Sequence, residues 1–493
     1  GIYWLQSFSA GVFGKKDISS YRLPSLLAAI GTLFLVYFFS PSFGLKSDRG
    51  RVLATGLLLA TFTFNIEAIL AKTDSTLLFF CTLMQICLWK IFSTSQNSTS
   101  LIYVFGFWSS LAFSFLIKGP IGLFLASTTI LGISLLKKNL NWLSNLRSVS
   151  GLFIFLIIAS PWYLLIILET NGEFIKLAFF EDFASKVTSG QESHGAPPGT
   201  FLALTMFIFF PASFYLRYLW VGVTKTFPTD VGKFLIVWIA GFWFLIELTP
   251  TKLPHYVLPT FPAIAILCAL GIEKSTEETF RGMIKYIWPV FCVLITFILF
   301  GGLVWLIVNL SETQRPQAIF WLLLALVAIS LCLWWSLSTN LDLLKRNFVS
   351  FLLAFLIFHF SVFYGILTNL DRTFVSQNII KEIEKITSIR NDAVTKIYTI
   401  GYNEPSLVFL TDKVIGGTIL RPQKDSVGEI AKKFAADNNS IALIEKRHLK
   451  KFTNALKLLK DDTEIVTIIK GVNISRGQDV EISLFKHANL DYD

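Results

Sequence analysis

Long apolar runs separated by short polar segments dominate the chain up to about residue 367. A helix that crosses a membrane needs about 20 mostly apolar residues, and this pattern predicts twelve such helices. The stretch 101–136 is also compatible with one hairpin that is broken at Lys118-Gly119-Pro120. The predicted spans are 23–40, 51–70, 75–92, 101–117, 119–136, 151–168, 201–219, 233–249, 255–271, 284–308, 317–338 and 347–367.

The pattern changes after about residue 368 to shorter elements with charged faces. Helical periodicity at 374–386 and 426–439 predicts two amphipathic helices. Four segments are typical of strands, and they lie at 396–400, 440–446, 463–472 and 480–485. We therefore predict an all-α polytopic membrane domain at 1–367, followed by a small water-exposed α/β domain at 368–493.

Composition supports the membrane interpretation and excludes several classes of protein. Of the 493 residues, 53% are hydrophobic and 15% are charged, whereas an average soluble protein carries roughly 25% charge. A soluble domain this apolar could not bury its surface, so a soluble enzyme and a disordered chain are excluded. The five cysteines all lie in apolar runs and predict no disulfide framework.

The net charge of +10 is explained better by membrane topology than by nucleic-acid binding. Four loops are basic, and they lie at 45–51, 137–147, 217–227 and 343–348. Cytoplasmic loops carry the excess of Lys and Arg, so the alternate loops and the tail are predicted to face the outer side of the membrane. Lys15, Lys16 and Arg22 break this rule, which predicts that 1–22 is an interfacial segment lying along the membrane.

Charged residues at membrane depth are costly, and their positions therefore indicate function. By the charge argument they collect on the outer side and come from four segments. That distribution predicts a site at the outer interface, assembled from several loops. The candidates are Glu67, Lys72, Asp74, Lys118, Lys186, Glu192, His194, Lys252 and His255, with Tyr256 beside the last.

Each candidate in the first loops also has a simpler explanation. Asp74, followed by Ser75, could simply be the cap of the next helix. Lys118 could be a lysine that extends from a helix end into water, although a cation in a Lys-Gly-Pro turn also suits a phosphate. Glu67 could simply form an ion pair with Lys72 across a turn.

The later candidates have simple explanations as well. His194 could be a solvated histidine, although the turn-rich loop 189–199 around it is typical of an ordered, functional loop. His255 and Tyr256 could belong to the aromatic belt at the membrane interface. The chain has no phosphate-binding G-x-x-x-x-G-K-[ST] loop, no H-E-x-x-H motif and no Cys/His spacing typical of zinc.

Several stretches resemble the bacterial glycosyltransferase family 39, and within it the aminoarabinose-transferase-like proteins of the GT-C fold. They are EAILAKTDSTLLFF (67–80), FLIKGPIGLFL (115–125), PWYLLIILETNGEF (161–174), KVTSGQESHGAPPGTF (186–201) and ELTPTKLPHYVLPTFPA (247–263). In the tail, GYNEPSLVFL (401–410) and KGVNISRGQDVEISLF (470–485) resemble the periplasmic domain of alphaproteobacterial members.

The resemblance implies transfer of a sugar from undecaprenyl phosphate, or a similar polyprenyl phosphate, to lipid A, a glycan or a protein. The reaction would invert the anomeric centre at the outer face of the inner membrane. Lys118 matches the lysine of the family's K-G-P turn and would neutralise the leaving phosphate, with Lys252 and Lys186 as weaker additions. Asp74 matches the acidic residue of the T-D motif and would orient the acceptor hydroxyl.

Relatives have thirteen helices and an acidic residue in a first periplasmic loop, which would precede Gly1. We therefore expect that the printed sequence lacks the N-terminal part of a longer protein. No cofactor is required by the residues themselves. The resemblance implies a divalent, zinc-like metal bound by a Glu and a His, for which His194 is the match.

Two other functions remain open at this stage. A transporter or flippase for lipid-linked saccharides would also be polytopic, but it would place polar residues at the bilayer midplane. The tail could instead be the functional unit that binds a glycan or a partner, with the membrane part as its anchor. An anchor needs one or two helices, so the sequence favours the glycosyltransferase.

Overall fold

Helices form most of the computed structural model, which describes residues 1–94, 100–177, 195–276, 279, 284–337, 340–390, 396–414, 418–420, 427–437, 439–459, 463–473 and 477–487. The chain divides into two compact units, one with 1–298 and 327–359, the other with 299–326 and 360–493. The first unit contains the candidate site. Its helices are Ile2–Phe13, Ile18–Phe39, Asp48–Leu59, Phe62–Ile69, Asp74–Ser93, Leu101–Lys118, Ile121–Lys137, Ser148–Glu169, Thr200–Ile208, Arg217–Thr226, Asp230–Glu247, Phe261–Lys274, Leu341–Arg346 and Phe348–Phe360. Ile284–Leu310 and Arg315–Ser336 contribute to both units.

Every predicted span contains a helix, and the prediction of a polytopic helix bundle is confirmed, although the described residues do not reach the twelve membrane-spanning helices that were predicted. Among the described residues, eight helices are long and apolar enough to cross a membrane. These are Ile18–Phe43, Asp74–Ser93, Leu101–Lys118, Ser148–Glu169, Pro254–Lys274, Lys285–Leu310, Arg315–Ser336 and Phe348–Asn369. The segment 1–22, which was predicted to lie along the membrane, also contains a helix, Ile2–Phe13, whose Tyr3 and Phe8 side chains are exposed.

Two predicted spans are interrupted, and their interruptions meet. The run 51–70 breaks at Ala60 and Thr61, and the run 201–219 breaks around Pro211. Phe62 N donates to Phe210 O at 2.7 Å, and Ala212 N donates to Ala60 O at 3.3 Å. Backbone N–H and C=O groups that lose their helical partners inside a membrane must be hydrogen-bonded within the protein. Here the backbone groups at each break bond to those at the other.

Small residues allow the buried helix Phe261–Lys274 to pack closely. A Cβ atom added to Gly271 would lie 1.9 Å from Tyr218 O, and one added to Gly222 would lie 2.0 Å from Leu267 O. Glycine is therefore required on both sides of this contact, since any side chain would separate the two backbones. Close approach through small residues is a general mode of helix association in membranes.

The second unit contains a five-stranded sheet with strands β1 (Lys396–Ile400), β2 (Thr418–Leu420), β3 (Ser440–Glu445), β4 (Thr463–Asn473) and β5 (Gln478–His487). Their order is β2-β1-β3-β5-β4, with β2, β1 and β3 parallel and β5 antiparallel to both neighbours. Helices Val375–Arg390, Pro405–Val414, Val427–Ala435 and Lys446–Leu459 complete this unit. The predicted α/β tail is confirmed, although the second and fourth of these helices and strand β2 were not predicted.

Polar contacts join the α/β region to the loop after Ile284–Leu310. Asp371 accepts hydrogen bonds from Glu312 N at 2.7 Å and Thr313 N at 2.8 Å. Arg372 donates to Asn309 O at 2.7 Å and to Asp479 at the start of β5 at 2.8 Å. These contacts tie the segment before the sheet and the start of β5 to residues 309–313 of the same unit. The predicted domain boundary at 367/368 remains a prediction.

Candidate active site

A partly buried ion pair joins the ends of two neighbouring helices in the first unit. Lys118 Nζ donates to Asp74 Oδ1 at 2.5 Å. Asp74 is the first residue of Asp74–Ser93, and Lys118 is the last residue of Leu101–Lys118. These helices follow one another in the chain and contact each other, with the start of one beside the end of the other. Gly119 follows with φ +61°, which ends the helix and leaves the lysine at its end.

Two serines fix the segment that carries Asp74. Ser25 Oγ donates to Lys72 O at 3.1 Å, and Ser75 Oγ donates to Ser25 O at 2.7 Å. The residue that precedes the Asp74 helix, Thr73, makes no side-chain capping bond, and the Asp74 carboxylate contacts Lys118. The geometry therefore favours the ion-pair interpretation of Asp74 over the helix cap.

His255 extends the pair into a line of four side chains. Its Nε2 atom lies 3.8 Å from Asp74 Oδ1, and its Nδ1 atom lies 3.6 Å from Glu67 Oε1. Both distances exceed a hydrogen bond. The Tyr256 ring packs against the His255 ring at 5.1 Å and lies 5.5 Å from Lys118 Nζ, within reach of a cation–π contact.

Burial makes the charges of this site consequential. The side chains of Glu67 and Asp74 are 4% and 7% exposed, whereas Lys118 is 29% exposed. Glu67 Oε2 has no hydrogen-bond partner among the described residues. A buried carboxylate is costly without a partner, so this cluster of two acids depends on the cation and the imidazole beside them.

A second cluster fastens the end of the long loop to the segment before His255. Glu247 accepts hydrogen bonds from Gly199 N at 2.9 Å and Leu202 N at 3.2 Å. Lys252 Nζ donates to Glu247 O and Thr249 O at 2.8 Å each and lies 3.4 Å from the Glu247 carboxylate. With its side chain 1% exposed, Lys252 is satisfied by these oxygens, which favours a positioning role over phosphate binding.

The structure brings together five of the predicted site residues, namely Glu67, Asp74, Lys118, His255 and Tyr256. Lys72 is exposed on the segment beside Asp74. Three predicted residues, Lys186, Glu192 and His194, lie outside the described residues. The sequence did not single out Glu247, although a carboxylate that ends an apolar helix could have indicated it.

The predicted metal stays a prediction. No group of three or more His, Cys, Asp or Glu side chains in those ranges is arranged to hold a metal ion. His194, the predicted ligand, lies outside them. We therefore assign no step of the reaction to a metal.

A bundle of membrane helices with a buried acid–base cluster at the ends of several helices defines an integral membrane enzyme. Residues 1–165 match the family described as dolichyl-phosphate-mannose-protein mannosyltransferase. Over its full length the chain superposes on ArnT from Cupriavidus metallidurans bound to undecaprenyl phosphate, with a TM-score of 0.73, 14% identity and 88% of that chain covered. This structural similarity shows the GT-C fold.

Sequence relatives agree with the fold. An uncharacterized protein from Aquifex aeolicus is 29% identical over 329 residues, which cover 64% of this chain and 68% of that protein. Undecaprenyl phosphate-alpha-4-amino-4-deoxy-L-arabinose arabinosyl transferase 1 from Pseudomonas fluorescens is 21% identical over 349 residues, covering 64% of this chain and 62% of the relative. The comparisons support a membrane glycosyltransferase similar to the aminoarabinose transferases, as the sequence predicted.

Proposed function

We propose that the protein transfers a sugar from a polyprenyl phosphate donor to lipid A, another glycan or a protein, with inversion at the anomeric carbon. The observation that carries this proposal is the Lys118–Asp74 pair at the ends of two membrane helices. The names of two similar proteins support the donor class. One is an undecaprenyl phosphate arabinosyl transferase, and the other was solved with undecaprenyl phosphate bound.

Lys118 is the cation for the donor phosphate in this proposal. A phosphate that links a sugar to a lipid carries one negative charge, and it gains a second as the glycosidic bond breaks. A fixed cation beside the leaving oxygen therefore stabilises the transition state more than the ground state. Lys118 is partly exposed while Asp74 is buried, so the ammonium group is the member of the pair that a ligand can reach.

Asp74 is the carboxylate for the acceptor. When the phosphate takes Lys118, the aspartate loses its counter-ion and becomes a stronger base beside the reacting centre. It then orients the acceptor hydroxyl and accepts its proton. Attack on the face opposite the leaving phosphate gives inversion in a single displacement.

The other predicted residues complete the proposal. Lys72 and Tyr256 contact the donor or acceptor beside the pair, and Glu67 and His255 line the same site. Lys186, Glu192 and His194 would act from the long loop, and Lys252 would act indirectly through Glu247. A divalent metal near His194 also stays a prediction. We place the site and the C-terminal domain on the periplasmic side of the bacterial inner membrane, because the basic loops alternate with the segments that form the site.

Transfer can be measured with protein from the full-length gene, purified and incubated with polyprenyl-phosphate sugars and membrane glycolipid acceptors. Mass spectrometry detects released polyprenyl phosphate and the heavier acceptor. Lys118→Met should lower turnover by about 10²–10³, the usual cost of removing one group that stabilises developing negative charge. Lys90→Met is the matched control, because Lys90 lies near the other end of the Asp74 helix beside Tyr103.

The outcomes separate the candidate functions. Release that requires an acceptor, disappears in Lys118→Met and persists in Lys90→Met supports the transferase. Folded protein that binds the lipid-linked sugar and moves it across vesicles without cleaving it would establish the transporter. Full activity in Lys118→Met would refute the role given to this lysine.

A further inference from the structure

His255 lies between two buried carboxylates that a single displacement does not both require. Asp74 suffices to take the proton of the acceptor, so the mechanism leaves Glu67 and His255 without a role. The imidazole nevertheless has one nitrogen directed toward each acid, at 3.6 Å from Glu67 and 3.8 Å from Asp74. Catalytic contacts are often this long without substrate and shorten in the complex.

We propose that His255 and Glu67 are positioning residues that carry the acceptor's proton away from Asp74, an inference that rests on the proposed function. Glu67 accepts the Nδ1 hydrogen of the imidazole once these contacts shorten in the substrate complex, which leaves the Nε2 lone pair directed at Asp74. Asp74 is thus the base, His255 accepts the proton from it, and Glu67 orients His255. It assigns a role to the second buried carboxylate.

The exchange of partners at Lys118 sets the order of events. The acceptor oxygen attacks the anomeric carbon, and its proton moves to Asp74. The bond from that carbon to the phosphate oxygen breaks, and its electron pair leaves with the phosphate, which Lys118 neutralises. Asp74 then donates the proton to His255 Nε2. The imidazolium is balanced by Glu67 and releases the proton to water, which the 16% exposure of its side chain permits.

The charges around His255 change when the donor phosphate binds. The charged groups that face it are Glu67, Asp74, Lys118 and Lys72, from the helices and the loop packed around it, with Tyr256 next to it in the chain. Once Lys118 pairs with the phosphate, the two acids dominate the surroundings of the imidazole. A transient imidazolium is then flanked by carboxylates, with Glu67 Oε1 on its Nδ1 side and Asp74 Oδ1 on its Nε2 side.

The experiment is a double-substitution cycle measured across pH. Rates and KM for the donor are determined for the wild type, His255→Gln, Glu67→Gln, Asp74→Asn and Asp74→Asn combined with His255→Gln. His359→Gln is the matched control, because His359 lies on the separate helix Phe348–Phe360. Circular dichroism and gel filtration establish that each variant is folded.

We expect His255→Gln to lower kcat about 10–100-fold while the KM for the donor stays within about twofold, since the proton step and not donor binding is affected. The deficit should narrow as the pH rises, because hydroxide can take the proton from Asp74 directly. Glu67→Gln should act in the same direction. The double variant should be no slower than Asp74→Asn alone, because the histidine acts through the aspartate.

Different outcomes overturn different parts. If the fold-losses in kcat of Asp74→Asn and His255→Gln multiply in the double variant, or if the loss in His255→Gln is the same at every pH, the histidine is structural. The proton relay is then wrong, but the proposed transferase activity is not affected. If His255→Gln mainly raises the KM, His255 contacts the donor instead. If the wild type transfers no sugar to any acceptor, the relay and the proposed function both fail.

Discussion

Removing either side of the Lys118–Asp74 pair should destabilise the membrane domain, but by unequal amounts. Lys118→Met leaves the Asp74 side chain, 7% exposed, with His255 Nε2 at 3.8 Å as its nearest basic neighbour among the described residues. Breaking a buried pair in this way costs about 3–5 kcal/mol, because it leaves an uncompensated buried charge. The methionine keeps most of the apolar length of the lysine, so little of the loss comes from packing.

Asp74→Asn should cost much less. Lys118 stands at a helix end with 29% of its side chain exposed, and its flexible chain can carry the ammonium to water once the acid is gone. An ion pair that water can reach is worth about 0–1 kcal/mol, and this variant should fall near the upper end of that range. The double variant should recover most of the Lys118→Met loss, since neither charge remains.

Denaturant unfolding in mild detergent, followed by tryptophan fluorescence, gives the free energies for this cycle. Lys90→Met again serves as the control and should change the free energy of unfolding by less than about 0.5 kcal/mol. Equal losses for the two single variants would show that burial of Asp74 does not set the cost. A double variant whose loss equals the sum of the two singles would show that the residues do not interact.

Three further predictions concern regions away from the pair. Glu247→Gln should speed amide exchange at Gly199 and Leu202 at least tenfold by mass spectrometry, because bonds to a charged acceptor are worth about 1.5–3 kcal/mol; unchanged exchange would contradict the clamp. Gly271→Leu should prevent folding by separating two helix backbones, whereas Gly301→Leu, where a Cβ meets nothing within 4 Å, should be tolerated; similar yields of folded protein would refute the packing argument. Burial raises the pKa of Asp371, but hydrogen bonds from the Thr313 hydroxyl and from the backbone of Glu312 and Thr313 outweigh it and hold the pKa below its usual value. The stabilisation by the Asp371 carboxylate is therefore present above a pH of about 4 and is lost as the pH falls through the lowered pKa. Asp371→Ala should lower the free energy of unfolding at neutral pH by about 1–2 kcal/mol and should reduce the dependence of the Tm on pH in the acid range. A dependence equal to that of the wild type would contradict this.

The sequence predicted the helices well because apolar length alone determines where a chain can cross a membrane. It did not predict that 51–70 and 201–219 would break, since the compensating hydrogen bonds join residues about 150 positions apart. In the tail, Pro405–Val414 was missed because its apolar residues give a weak helical pattern beside a proline. Lys446–Leu459 was missed although its charged and apolar residues alternate with helical spacing.

For the site, charge at membrane depth correctly selected Glu67, Asp74, Lys118 and His255 as neighbours. Their pairing could not be derived, because both Lys72 and Lys118 were available to the acids and only the packing of helix ends decides between them. Lys252 shows the limit of such reasoning. Its role at a phosphate stays a prediction, and the sequence did not show that its ammonium group contacts two carbonyl oxygens and the Glu247 carboxylate.

The reciprocal interruption at Thr61 and Pro211 has a practical consequence for engineering this scaffold. The helix that carries Glu67 is held in place by the backbone of a segment far along the chain, and Thr63 Oγ1 also donates to Ile208 O at 2.7 Å. A chimera that takes only one of these segments from a relative with different sugar specificity would disrupt the hydrogen bonds between the two segments. Segments 58–66 and 207–213 should therefore be exchanged together, as one inherited module, when new specificities are built on this fold.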